Sequence, residues 1–396
     1  MNNYKINIIG IPDDMVCFSG EIARLISGSL CFAGGERHYQ LVKSSLPVNH
    51  RWVNISVPLS GLFTDIQNKP GPWVIFASGD PLFFGIANTL KKQFLEAVIE
   101  VTPYFNSLQL LGHRLGINYG EYKTVSLTGR PWHEFDKALI TGEKKLALLT
   151  DRTKTPASIA ERMLNYGYAN YKMLYGEHLG GKEEKVAVLT LNEALTFSFQ
   201  HPNCLFLEKM DDAIPRKMIP ENDFQLLENR PNMITKMPIR LTTLASMKLH
   251  AKKVFWDIGA CTGSVSVEVR LNFPDLRIAS FEIHPERMAI FEENCRRFQC
   301  PGIQKFEGDY LAIDKEKLER PDAVFLGGYN GEMEEILNDV AERLQPGGVI
   351  AFNSVTEISY TRFLAWAENK GFGVCFQQCI RVDEHNPIHI ITIEKK

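Results

Sequence analysis

Long hydrophobic runs are missing from this sequence of 396 residues, in which no uninterrupted apolar stretch approaches the ~20 residues that span a bilayer. The first strand-like run, Ile6 to Ile11, is too short for a signal-peptide core and stops at Pro12-Asp13-Asp14. No membrane is therefore expected as a partner, and the cytoplasm is the expected location. A surplus of one charge is also missing: 44 Lys+Arg stand against 47 Asp+Glu, for a formal charge of −3. The chain as a whole is thus no polybasic nucleic-acid binder, although a local basic pocket fits the same sum. Eight cysteines are scattered without a Cys-x-x-Cys pair, so reduced thiols are the expected state. No fixed-period repeat is visible. What is present is 44% hydrophobic and 23% charged residues, near the globular average, in a length that suits two or three domains of roughly 100 to 200 residues.

Short β-rich runs alternate with helix-like stretches, the pattern of α/β layers. Strands are expected near 5–11, 30–33, 73–77, 98–102, 124–127, 145–150, 172–175, 185–190 and 204–208. From Lys209 to Pro238 the chain gathers Pro215, Pro220, Pro231 and Pro238 with mixed charge and no sustained period, and its early part reads as a linker. The expected organisation is a first domain over 1–210, a linker over 211–232 and a second domain over 233–396. Strands follow near 254–258, 277–282, 304–307, 323–326 and 349–352, and the runs 373–382 and 388–394 look like an antiparallel hairpin.

The sharpest local signal is Val254-Phe255-Trp256-Asp257-Ile258-Gly259-Ala260-Cys261-Thr262-Gly263-Ser264, a buried strand feeding a helix through a glycine turn. Such a turn lets the backbone approach a ligand and is expected to offer free N–H groups. A dinucleotide fingerprint starting at Gly259 would need glycines where Cys261 and Ser264 stand, which disfavours NAD. The next strand ends in Glu282, suited to accept from ribose hydroxyls, and the third in Glu307-Gly308-Asp309-Tyr310, where a carboxylate suits an adenine amino group. This combination resembles the class I S-adenosyl-L-methionine (SAM) methyltransferases, with Cys261 in place of the middle glycine of the family's first motif. No Asn-Pro-Pro-Tyr segment follows the fourth strand, which reads Phe325-Leu326-Gly327-Gly328-Tyr329-Asn330, so amino-group methylation is not the first expectation.

Thr235-Lys236 with Asn353-Ser354-Val355-Thr356-Glu357 resembles the branch that methylates C-15 of a corrin precursor and removes a ring acetate as carbon dioxide. In the first half, Ser78-Gly79-Asp80-Pro81, Gly34-Gly35-Glu36-Arg37-His38, Thr128-Gly129-Arg130-Pro131 and Gly176-Glu177-His178 are similar to tetrapyrrole methylases of the C-5 branch. Their order resembles the fused precorrin-6Y C-5,15-methyltransferases (decarboxylating) of cobalamin biosynthesis. The resemblance implies a two-subdomain tetrapyrrole-methylase fold followed by a Rossmann-like class I methyltransferase fold, with SAM as cofactor and a precorrin tetrapyrrole as substrate. Relatives of both halves tend to associate, which leaves a homo-oligomer open.

Cofactor contacts implied by the resemblance are Thr235, Asp257, Gly259, Ala260, Cys261, Thr262, Gly263, Glu282, Asp309 and Tyr310 in the second half, and Gly10, Gly79, Asp80, Pro81 and Ser107 in the first. Lys236, Arg240 and Arg130 are the candidates for holding substrate carboxylates, to which cationic forks are suited. Two departures stand out. The first glycine loop of the tetrapyrrole methylases is Gly10-Ile11-Pro12-Asp13-Asp14 here, and the family's Pro-Gly-x-Ser-Ser is Pro103-Tyr104-Phe105-Asn106-Ser107. The alternative these open is a non-catalytic first domain used for binding, beside a methyltransferase for another small molecule or RNA. Cys375, Cys379, His385 and His389 invite a metal reading, but the gap between the pairs is short for zinc and the residues alternate as hairpin positions do, so no metal is expected. His38 and His178 read as structural histidines as readily as catalytic ones, and no catalytic acid or base is assigned.

Overall fold

The structure, a computed structural model, describes residues 4–14, 16–69, 71–212, 217–384 and 386–396. Pro215 of the linker and His385 of the metal reading lie outside the described residues. The chain forms two compact units: Met1–Arg130 with Lys144–Glu161 and Tyr171–Met210, and Pro131–Glu143 with Arg162–Asn170 and Asp211–Lys396. Two short segments of the first 210 residues thus pack with the second unit. The physical reason is local: Ile140 joins that unit's apolar core, and Asp136 accepts both Nε and Nη2 of Arg162 at 2.7 Å.

The first unit holds two sheets, as the resemblance implies. Strands β1 (Lys5–Ile11), β2 (Cys31–Gly34), β3 (Arg51–Asn54), β4 (Trp73–Ser78) and β5 (Val98–Thr102) form a parallel sheet in the order β3-β2-β4-β1-β5. Ile6 and Ile8 of β1 pack with Trp73 and Ile75 of β4 on one face, while Ile9 and Ile11 pack with Val74 and Phe76 on the other. That is the two-sided apolar code of a covered parallel sheet. Strand β3 is the one element the sequence reading leaves out. It is an edge strand of four residues, none of them fully buried, so its alternation is weak. Strands β6 (Lys123–Ser126), β7 (Lys145–Leu149), β8 (Tyr171–Glu177), β9 (Lys185–Thr190) and β10 (Asn203–Lys209) form the second sheet, ordered β6-β7-β10-β8-β9 and antiparallel from β7 onward.

The second unit carries a seven-stranded sheet, β13-β12-β11-β14-β15-β17-β16. Its strands are β11 (Val254–Ile258), β12 (Arg277–Glu282), β13 (Ile303–Glu307), β14 (Ala323–Leu326), β15 (Val349–Ser354), β16 (Gly373–Ile380) and β17 (Ile388–Glu394). The first five are parallel and the last two close the sheet as an antiparallel hairpin, a Rossmann-like arrangement. Along β11, Val254, Trp256 and Ile258 enter one apolar layer and Phe255 the other. Period two puts Asp257 on the side of Phe255, against the helix Ser264–Asn272. Burial of each such side chain contributes about 1.5–3 kcal/mol. Packing on both faces therefore holds β11, and with it the start of the loop that follows.

Candidate active site

Reversal of strand order beside β11 leaves a crevice at the carboxyl ends of β11, β12, β13 and β14, where open α/β sheets place ligands. Gly259 leaves β11 with φ +74°, and a Cβ there would stand 2.4 Å from the Gly328 nitrogen, so the loops after β11 and β14 touch backbone to backbone. Gly263 has φ +76°, and a Cβ would reach 1.9 Å from the Phe291 ring. Cys261, between them, takes φ +53° without being glycine, a conformation that costs an L-residue roughly 1–2 kcal/mol.

The loop corrects part of one expectation. Several of its N–H groups are already engaged: Gly259 and Ala260 both donate to the Phe281 carbonyl, at 2.9 and 3.0 Å, and Gly263 donates to the Ala260 carbonyl at 2.8 Å. Cys261 N–H donates to Glu282 Oε2 at 2.7 Å, while His284 N–H donates to Oε1 at 3.0 Å. The Glu282 carboxylate is 2% exposed and ties the first loop to the second. Oε1 also accepts from Arg287 Nη1 at 3.5 Å, so the lone pair left for a further donor is on Oε2.

Asp257 is wholly buried. Its Oδ2 accepts from Ser266 Oγ at 2.5 Å, and Ser266 Oγ lies 2.7 Å from Ser280 Oγ. Its Oδ1 has no partner, and burial pushes the carboxyl up to about 7. An orphaned acidic oxygen at this place is suited to a cationic group.

A cavity of about 950 Å³ is lined by Gly259, Cys261, Glu282, Asp309, Tyr310 and the Gly327-Gly328 turn. Asp309 accepts from the Leu311 N–H at 3.0 Å, and Tyr310 is buried with its hydroxyl donating to Asp339 at 2.7 Å and its ring edge-on to Phe281. A second cavity of about 430 Å³ is lined by Thr235, Lys236, Asp257, Ala260, Thr262 and Asn353. Cys261, Gly259, Met233 and Gly327 line both, so the glycine loop is their shared wall. Gly263 lines neither and sets the turn instead.

Arg240 departs from its expected role. It is 0% exposed and lines neither cavity. Its guanidinium pairs with the equally buried Glu268 at 3.0 Å and donates to the carbonyls of Thr235, at 2.7 Å, and Ile219. Helical spacing was the missed signal: Ile239, Thr243 and Leu244 are buried on the same helix, Met237–Ser246, and i, i+3 and i+4 share a face. Lys236 does line the smaller cavity, 3.9 Å from the Glu221 carboxylate. The sequence reading also overlooks Arg287, 3.5 Å from Glu282, and the stretch Gln225–Arg230, which walls the larger cavity from within the expected linker.

In the first unit a cavity of about 370 Å³ is lined by Gly79, Asp80 and Ser107 among the expected residues, joined by Asp13, Arg37 and Ser78. Gly10 and Pro81 are not among its lining residues. Gly10 instead backs onto the Gly79 carbonyl, where a Cβ would stand 2.0 Å away, and Pro81 packs under Gly85. Arg130 is exposed, with its guanidinium 4.8 Å from the Phe84 ring centre and outside the cavity lining. Among the described residues no group of three or more His, Cys, Asp or Glu is placed to hold a metal ion; His389 bonds to Glu357 at 3.1 Å and Cys375 to the Thr392 carbonyl at 3.2 Å. No helix of the described residues is long and apolar enough to cross a membrane.

Comparison with known proteins gives each half a family. Residues 229–389 match the precorrin methyltransferase domain, and residues 63–195 match the tetrapyrrole (corrin/porphyrin) methylases. A precorrin-6Y C(5,15)-methyltransferase [decarboxylating] from Sinorhizobium sp is 32% identical over 357 residues, 89% of this chain and 84% of that protein. The chain belongs to the precorrin-6Y C(5,15)-methyltransferase family. Within 43% of the chain, a cobalt-precorrin-6B C(15)-methyltransferase (decarboxylating) from Salmonella typhimurium is 28% identical over 92% of its own length. Among solved structures, a precorrin-6Y C5,15-methyltransferase from Geobacter metallireducens is 32% identical, covers 46% of this chain and 98% of that one, and superposes with a TM-score of 0.42.

Proposed function

We propose that this family member methylates C-5 and C-15 of precorrin-6Y, or of its cobalt form, with loss of the C-12 acetate as carbon dioxide, in the cytoplasm. The observation that carries the reading is an alignment running through both halves of one fused relative over 89% of the chain. The decarboxylating C-15 step is assigned to the domain over 233–396, and the C-5 step to the domain over 1–210, with 211–232 joining them.

The residues of the larger cavity suit SAM. Glu282 Oε2 offers its spare lone pair to a ribose hydroxyl and Asp309 accepts from the adenine amino group, while across the shared glycine loop, on the smaller cavity, the unpartnered Asp257 Oδ1 favours the cationic end. When bound, SAM supplies a methyl group activated as an electrophile by its sulfonium. The chain's own part is alignment and exclusion of water, because the reduced tetrapyrrole is itself a carbon nucleophile. Thr235, held through its carbonyl by Arg240, and Lys236 wall the smaller cavity, where an ammonium suits the ring's carboxylates. Electrons released with carbon dioxide pass into the conjugated ring, so no buried base is required.

A docking-only first domain would rest on its lost glycine loop. Of the two carboxylates gained there, Asp13 and Asp14, the one that lines the cavity is Asp13, and Arg37 at 2.5 Å neutralises it. Incubation of the full chain with SAM and metal-free or cobalt-loaded substrate tests the reading by product mass. Two added methyls and one lost carbon dioxide are expected. One methyl with carbon dioxide loss would reduce the first domain to docking, and an unchanged mass would overturn the assignment.

A further inference from the structure

Polar groups outside the expected site converge on the first unit's cavity at the end of β4. Ser78 is exposed on its wall, held by the strand end where Gly79 N–H donates to the Ile11 carbonyl at 3.0 Å. Arg37 Nη2 donates to Ser78 Oγ at 2.7 Å, and His38 Nε2 lies 2.9 Å from the same oxygen. The opposite ring nitrogen decides what Nε2 does. His38 Nδ1 accepts the Gly35 N–H at 3.1 Å, so it carries no hydrogen. Burial first, and then the Arg37 charge, push the imidazole down to about 4, which leaves it neutral near pH 7 with its hydrogen on Nε2.

The Nε2 hydrogen also faces the Phe76 carbonyl, and neither neighbour of Ser78 Oγ is able to accept. The hydroxyl's own proton has to point away from them, and no hydrogen bond among the described residues accepts it. Arg37 is oriented as firmly: Nη1 donates to the Asp13 carbonyl at 3.3 Å and to its carboxylate at 2.5 Å. Of the five guanidinium hydrogens, three are committed to Asp13 and Ser78, so those on Nε and the second of Nη2 remain. A hydroxyl proton beside uncommitted guanidinium N–H groups, on the wall of a cavity, is a set of donors without an acceptor. An ammonium brings only hydrogens and does not fit it; a carboxylate brings only acceptors and does.

We infer that Ser78 donates a hydrogen bond to a carboxylate held in the first unit's cavity, with Arg37 and His38 as positioning residues that aim the hydroxyl. The carboxylate belongs either to the aminocarboxyl end of SAM or to an acetate or propionate of the tetrapyrrole, and the kinetics separate the two. The inference rests on the first domain carrying the C-5 step.

The test uses the full chain and resolves the steps by mass, since only the C-15 step removes carbon dioxide. Ser78→Ala is expected to raise a KM of the C-5 step about tenfold, the effect of one hydrogen bond to a charged group, with kcat little changed. The C-15 step in the same tube should be unaffected. A rise in the KM for SAM identifies the cofactor's carboxylate, and a rise in the KM for the tetrapyrrole identifies the substrate's. Ser78→Thr, which keeps the hydroxyl, should restore the wild-type value, and His38→Phe should raise the same KM severalfold. Wild-type values for both KM in Ser78→Ala overturn the inference, as does equal impairment in Ser78→Thr. Absence of C-5 methylation in the wild type is a separate result, visible before any variant is made, and removes the underlying reading together with the inference.

Discussion

Asp257 couples folding to ligand binding through one oxygen. Its folded-state value of about 7 lies above the ordinary carboxylate range, so the native state holds an extra proton between that range and pH 7. Stability therefore falls as pH rises through this window and stays low above it. Asp257→Asn is expected to raise the ligand-free melting temperature of the second unit by a few degrees at pH 8, with the gain shrinking steadily as pH is lowered toward 4. Scanning calorimetry across that range checks it. The same variant should bind SAM more weakly. In the wild type, a cation beside Asp257 favours its ionised form, so SAM binding near pH 7 is expected to release a fraction of a proton. Calorimetry in buffers of different ionisation heat reads this, and Asp257→Asn should abolish the buffer dependence. Glu282, Asp257 and Asp309 were legible in the sequence because acidic residues at successive strand ends are a local pattern. What the N–H groups of Gly259, Ala260 and Cys261 do was not legible, because their acceptors are the Phe281 carbonyl and the Glu282 carboxylate on a neighbouring strand, partners that exist only once β11 and β12 are in register.

The node formed by Arg240 and Glu268 joins elements rather than touching ligand. Glu268 accepts from the Met218 and Ile219 N–H groups at 2.8 and 3.2 Å and from Asn272 at 2.8 Å, while Arg240 holds two carbonyls. Removing one partner of a fully buried pair costs about 3–5 kcal/mol, which is the loss expected for Arg240→Met in denaturant unfolding. A buried pair can often be replaced by apolar residues without loss. Here the double variant Arg240→Met with Glu268→Leu is expected to remain destabilised, because it leaves those backbone groups unpartnered. Recovery to wild-type stability would contradict the account. Most strands were legible from apolar runs and punctuation. The weak edge strand β3 escaped because half-buried residues carry little pattern, and Gln225–Arg230 escaped because a cavity wall made of loop has the composition of a linker.

At the scale of the whole chain, each unit has its own cavity beside its own family-matched segment. S-adenosylhomocysteine is therefore expected to raise the unfolding temperature of both units. Gly263→Val, whose side chain would overlap Phe291, should abolish the shift for the second unit alone. A shift confined to the second unit in the wild type would count against a cofactor site in the first. The order of the halves was legible through their motifs, whereas the packing of 131–143 and 162–170 with the second unit was not, since it depends on contacts remote along the chain, such as Ile140 with the core around Phe255. Strand order in the second unit also bears on synthesis. β17 lies between β15 and β16, and β16 pairs with no other strand among the described residues. As the chain emerges, β16 waits for residues 381–394 before it can join the sheet, roughly a second at the usual pace of translation. Exposed glutamines on both of its faces, Gln377 on one and Gln378 on the other, suit a strand that must remain in water and unpaired until its successor arrives.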